Sequence, residues 1–163
     1  MYFRNHTEQE ESKNLKIITS CCIGEAVPLE LLSNDVFSSL ILGDGFGVYP
    51  SENRIVAPVS GTVKDISENE HEVTIKTDDG IILIVSIGYN SADESFEAHC
   101  LLDIGAGLMQ GTLIWELDSE ILNSESKLTA AVIVTNISEL PTFNIRYGKV
   151  SRLDTPIMTI SMS

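Results

Sequence analysis

One stretch of thirteen residues limits what this chain can fold into. Val73, Ile75 and Thr77 alternate with the polar or charged Thr74 and Lys76, the two-residue period of a half-buried strand. Asp78-Asp79-Gly80 follows, a turn sequence. Ile81 to Val85 is then apolar at every position, which predicts a central strand covered on both faces. The three segments together predict a hairpin with a short loop. The same grammar recurs at Leu113–Leu117, Val132–Thr135 and Ile157–Met162, while helical periodicity is scarce. Pro28 to Leu32 reads as a bend or a single turn, and Ser119 to Leu128 as a short helix capped by Asp118 or Ser119. Short strands at roughly ten-residue spacing predict an all-β domain, closed or sandwiched. Its core strands are expected over 55–63, 73–77, 81–85, 113–117, 132–135 and 157–162.

A glycine frame also repeats. Residues 17–27 and 55–63 each run from an apolar start through small residues to a glycine and a valine. Gly105 to Gly111 is a looser third copy, and the three suggest repeated β units about a pseudo-axis. Gly43-Asp44-Gly45-Phe46-Gly47 is not a phosphate loop, because no Gly-Lys-Ser/Thr and no helix pattern follows it. It is expected to be a turn with positive φ, with Asp44 accepting backbone hydrogen bonds. The polar residues 1–14 are expected to form a loose arm, with one β domain over 15–163.

Charge narrows the partners. Ten Lys and Arg against 24 Asp and Glu leave a net charge of −14. Phosphate neutralisation needs clustered cations, so nucleic acid and an anionic membrane surface are poor partners and a basic protein is a good one. No apolar run approaches the length of a membrane span. The N-terminus has no apolar signal core. Cys21, Cys22 and Cys100 are odd in number and contain no CxxC pair, which predicts reduced thiols and a cytoplasmic protein. His6, His71 and His99 lie at no metal-ligand spacing, so neither a metal nor another cofactor is expected. A hydrolytic zinc site would need HxH, and a biotinyl or lipoyl carrier a lysine in a recognition hairpin; Lys64 and Lys76 lack that setting. A Cys100–His99 nucleophile would need a third, orienting group.

From Ile17 to the C-terminus the chain resembles the glucose-type enzyme IIA component of the bacterial phosphoenolpyruvate-dependent sugar phosphotransferase system. The resemblance rests on Val36-Phe37, on Leu42 to Pro50, on Val56-Ala57-Pro58-Val59-Ser60-Gly61-Thr62-Val63, on Gly105 and Gly111, and on Val132 to Asn136, in that order. It implies a glucose permease IIA-like fold, a compact β-sandwich of duplicated hybrid motifs (a barrel-sandwich hybrid). It also implies two facing histidines in a shallow apolar depression, one accepting a phosphoryl group from a small basic phosphocarrier protein and passing it to a transporter IIB domain. His71, ten residues after Gly61, matches the family's supporting histidine. Fifteen residues further on, where the resemblance places the acceptor, stands Ser86. Gly88 is kept, Asn90 replaces an aspartate, and Ile84 replaces an aromatic residue.

Relay at neutral pH needs an imidazole nitrogen, because a serine phosphate ester is too stable to pass its group on, and serine needs a base to react at all. His71 would be that base if it reached Ser86. The expectation is therefore an enzyme IIA-like protein that binds or regulates. The alternative is a working phosphocarrier that uses His71. Whether it is an enzyme stays open at this point. His71 and Ser86 are the candidate chemical residues, and Phe37, Ile84, Gly88 and Asn90 the candidate partner-contact residues.

Overall fold

The computed structural model describes residues 15–32, 43–91, 94–136 and 142–162. In chain order the strands are β1 (Leu15–Thr19), β2 (Gly24–Pro28), β3 (Asp44–Pro50), β4 (Arg54–Val56), β5 (Gly61–Ile66), β6 (Glu72–Lys76), β7 (Ile82–Tyr89), β8 (Gly107–Leu108), β9 (Leu113–Glu116), β10 (Leu128–Val134), β11 (Thr142–Ile145), β12 (Gly148–Val150) and β13 (Pro156–Ser161). The fold is all-β. Three open sheets have the orders β1-β13-β11, β12-β2-β3-β10-β7-β6-β5-β8 and β4-β9. Each has two end strands, so the barrel part of the expected hybrid is not a closed sheet among the described residues.

The expected hairpin forms. Thr77 and Ile81 close it through Thr77 N–H to Ile81 O at 2.9 Å, and Gly80 N–H reaches Thr77 O at 3.1 Å. Gly80 has φ +95°, a conformation a side chain would resist. Asn136 Nδ2 donates to Gly80 O at 2.8 Å and fixes the turn against the strand end of β10.

β10 runs between β3 and β7, and all seven of its residues are buried. Leu128, Ala130, Val132 and Val134 enter the main core with Phe46, Trp115 and Met158. Ala131 and Ile133, pointing the other way, join a smaller cluster with Val27, Leu29 and Leu32. Apolar burial on both faces explains why this strand reads as an unbroken apolar run. β7 is also internal to the sheet. Its Leu83, Val85 and Ile87 are buried in the main core, but Ile82 and Ile84 are only half-buried, so full coverage of both faces is not found.

Four expectations need correction. The run over 55–63 is two strands, because β4 ends at Val56 and β5 starts at Gly61. Pro58 between them has no N–H to give a ladder, and its carbonyl instead accepts from Thr19 N at 3.0 Å. The helix α1 covers only Ser119–Leu122, and Asp118 makes no side-chain cap bond. The glycines of 43–47 lead into and lie within β3 rather than forming a turn. Gly45 is there because of close approach: a Cβ on it would collide with the Val132 carbonyl of β10. Asp44 Oδ1 accepts from Gly45 N at 2.8 Å, a local bond inside the strand. Pro28–Leu32 does make a single turn, a 3-10 turn at Leu29–Leu31.

The three glycine frames meet in space. Val56 N–H donates to Cys21 O at 2.7 Å, and Gly111 N–H to Ala57 O at 2.8 Å. Cys21, Cys22 and Cys100 are free thiols. Burial pushes the Cys22 thiol well above its usual value, so it packs as a small hydrophobe.

Candidate functional site

The register of β6, β7, β10 and β3 sets Glu72, Ser86, Ala131 and Gly47 in one cross-strand row. Directly paired residues project from the same face of a sheet. Gly88 and Thr129 form the adjacent row on that face. Most of these positions carry little or no side chain, so the face sinks into a trough of about 140 Å3. Leu32 packs over Gly47 beside it. Thr129 Oγ1 donates to Gly88 O at 3.1 Å, which turns its hydroxyl back to the backbone. Ser86 is only 6% exposed as a residue, and its hydroxyl, which makes no hydrogen bond among the described residues, opens to the trough rather than being shut away from it.

His71 enters the trough from the residue before β6. Its N–H donates to Asn69 Oδ1 at 3.1 Å, and its carbonyl accepts from Ile87 N at 3.0 Å. The residue is 9% exposed, and its ring stacks on Phe96, centroids 4.8 Å apart and planes 26° apart. Tyr89 meets the Phe96 ring edge-on at 4.8 Å. Burial lowers the His71 pKa from its ordinary value, against weaker opposing effects from a hydrogen bond to the Phe96 backbone and from the Glu72 carboxylate. The lowering favours the neutral ring, in which one nitrogen donates and the other accepts.

The residue before His71 is clamped. Glu70 has φ +62°, alone among the described non-glycine residues in being positive. Its carbonyl accepts from Trp115 Nε1 at 2.8 Å. Its carboxylate meets His99 Nδ1 at 3.0 Å and accepts from Cys100 N at 3.2 Å. Segment 96–100 thus both stacks on His71 and ties down the backbone that aims it. His99 is itself 87% exposed on its side chain and serves as a tie. Beyond the stack a broader, open cleft of about 800 Å3 carries Glu68, Glu97, Glu116 and Asp118 and shares His71 with the trough.

The structure brings together His71, Ser86, Gly88 and Asn90. Ile84 shares the strand face of Ser86, two residues along, but does not line the trough. Phe37 lies outside the described residues. Sequence reasoning missed Phe96, Glu72, Thr129 and Ala131. The last three become visible once strand pairing is known. Phe96 sits in a segment without periodicity, and nothing in the sequence marks it. Among the described residues no cluster of His, Cys, Asp or Glu is arranged to hold a metal ion, and no helix is long and apolar enough to cross a membrane.

Residues 16–140 match the model of the phosphoenolpyruvate-dependent sugar phosphotransferase system, EIIA 1. A glucose-specific EIIA component of this system from Staphylococcus epidermidis is 28% identical over 160 residues, covering 95% of each chain. One from Staphylococcus aureus is likewise 28% identical over 160 residues, again 95% of each. Among solved structures, the glucose permease IIA of Mycoplasma capricolum superposes with a TM-score of 0.75 at 22% identity, covering 89% of this chain and 95% of that one, and so shares the fold. The fold, the span of the family match and the relatives agree, and the chain belongs to the EIIA 1 family of the phosphoenolpyruvate-dependent sugar phosphotransferase system.

Proposed function

We propose that this protein is an EIIA-type binding or regulatory component that docks a basic protein at the trough and does not accept a phosphoryl group there. The observation that carries the reading is Ser86. Its hydroxyl opens to the trough at the position where the family resemblance places an acceptor imidazole, and no hydrogen bond joins it to His71 or to any other base among the described residues. An alcohol without a base is a poor nucleophile, and its phosphate ester would be a dead end for relay. The partner belongs to the phosphocarrier and IIB class, in line with the family and with a net charge of −14. His71, Gly88 and Asn90 are the contacts inside the trough and Ile84 one on the same strand face; Phe37, outside the described residues, is proposed as a contact from the sequence alone.

A second reading has one observation in its favour. Burial lowers the His71 pKa and so favours the neutral ring, which keeps the acceptor nitrogen an attacking imidazole must have. In that reading His71 takes the phosphoryl group itself.

The two separate on incubation with phosphoenolpyruvate, enzyme I and the small carrier protein. The binding reading expects no acid-labile phosphate on the chain. Acid-labile label that disappears in His71→Ala establishes the second reading instead.

A further inference from the structure

The backbone of His71 is held at both ends, and that leaves the ring to be placed. Its N–H donates to Asn69 Oδ1 at 3.1 Å, and its carbonyl accepts from Ile87 N at 3.0 Å. Rotation of the side chain among staggered positions is the remaining freedom. The residue lines both the trough and the broad acidic cleft, so that rotation decides which hollow the imidazole serves.

Phe96 supplies what the backbone does not. Its ring stacks on the imidazole, centroids 4.8 Å apart, and Tyr89 at the end of β7 meets the Phe96 ring edge-on at 4.8 Å. The Phe96 backbone acts on the imidazole as an acceptor acts on a ring N–H, by favouring the protonated form. A flat face and an acceptor thus come from one residue. The segment that carries Phe96, residues 94–100, belongs to no helix or strand. Glu70 ties it down: its carboxylate accepts from Cys100 N at 3.2 Å and meets His99 Nδ1 at 3.0 Å.

We propose that Phe96 is a positioning residue for His71: its ring, braced by Tyr89, holds the imidazole in one orientation and one tautomer, and leaves one nitrogen open to whatever the site receives. Apolar bulk alone does not do this, because stacking needs a flat face. The inference does not depend on whether His71 contacts a partner or takes a phosphoryl group, since both need an open nitrogen in a fixed place.

The test reads the two ring nitrogens of His71 in long-range 15N–1H spectra of the intact protein at about pH 8, where histidine is neutral. The parent is expected to show one tautomer. Phe96→Tyr keeps the flat face and is expected to keep that pattern. Phe96→Leu keeps apolar bulk without the face, and the preference between tautomers is expected to fall about fivefold, the size of one aromatic contact. The rate of carbethoxylation of His71 by diethyl pyrocarbonate, with the exposed His99 as reference, is expected to change several-fold in Phe96→Leu and to stay at the parent value in Phe96→Tyr. A purely structural Phe96 would lower the unfolding temperature of Phe96→Leu and move neither readout. Tyr89→Leu removes the brace and leaves Phe96 in place, and it serves if Phe96→Leu does not fold. A mixed tautomer in the parent, loss of the pattern in Phe96→Tyr, or the parent pattern in whichever leucine variant folds would each overturn the proposal. No phosphoryl donor or partner protein is present, so a failure here is distinct from a failure of the phosphorylation assay.

Discussion

At the residue scale, Glu70 carries the most strain for the least signal. Glutamate has no preference for the left-handed region, and a side chain there costs about 1 kcal/mol. The structure offsets that cost with the Trp115 bond to its carbonyl and the two carboxylate bonds to residues 99 and 100. Glu70→Ala keeps the strain and loses the carboxylate bonds, and a loss of about 1 kcal/mol is expected in urea unfolding. Glu70→Gly loses the same bonds but relieves the strain, so its stability is expected to lie above that of Glu70→Ala. The opposite order would mean that the left-handed backbone at residue 70 stores no strain. His71 gives a pH signature. Its folded pKa is lowered, chiefly by burial, from an unfolded value near 6.5. Between the two values the unfolded chain binds more protons, so stability rises with pH there. The stability is fully present above about pH 6.5 and is lost as pH falls through the folded value. Chemical denaturation from pH 7.5 down to 5 is expected to show this slope in the parent and a shallower one in His71→Asn.

At the element scale, sheet register does what sequence alone could not. The hairpin of β6 and β7 was legible because alternation, a turn sequence and an apolar run stand next to one another. So were the middles of β9, β10 and β13. The ends were not: β7 continues to Tyr89 through Ser86 and Gly88, residues that do not look like strand until β6 and β10 flank them. β3 was hidden by its glycines, which mark contact with β10 rather than a turn. The split between β4 and β5 was written in Pro58 and overlooked because the residues on either side are apolar. For the candidate site, spacing against a family singles out His71, Ser86, Gly88 and Asn90, which the structure sets around one trough, whereas Ala131 and Phe96 need coordinates. The two kinds of glycine give a paired test. Gly45→Ala drives a Cβ into the Val132 carbonyl and is expected to cost more than about 2 kcal/mol or to prevent folding. Gly88→Ala meets nothing within 4 Å and needs no positive φ, so a change within about 1 kcal/mol is expected. Thermal unfolding of the two variants checks the contrast.

At the scale of the whole molecule, an acidic chain of the EIIA 1 family presents a small polar trough beside a broad acidic cleft, with His71 shared between them. Long-range attraction of a basic partner is screened by salt. Association with the small carrier protein, measured by calorimetry, is expected to weaken several-fold between 50 and 300 mM salt; an affinity indifferent to salt would remove the electrostatic part of the docking argument. The proposed reading turns on one position: with Ser86 where the family resemblance places the acceptor imidazole, relay is expected to be absent and to return with a histidine. Ser86→His tests it most directly, incubated with phosphoenolpyruvate, enzyme I and the small carrier protein beside the parent chain. Acid-labile phosphate on Ser86→His with none on the parent is the expected result, and acid-labile phosphate on the parent chain would contradict it.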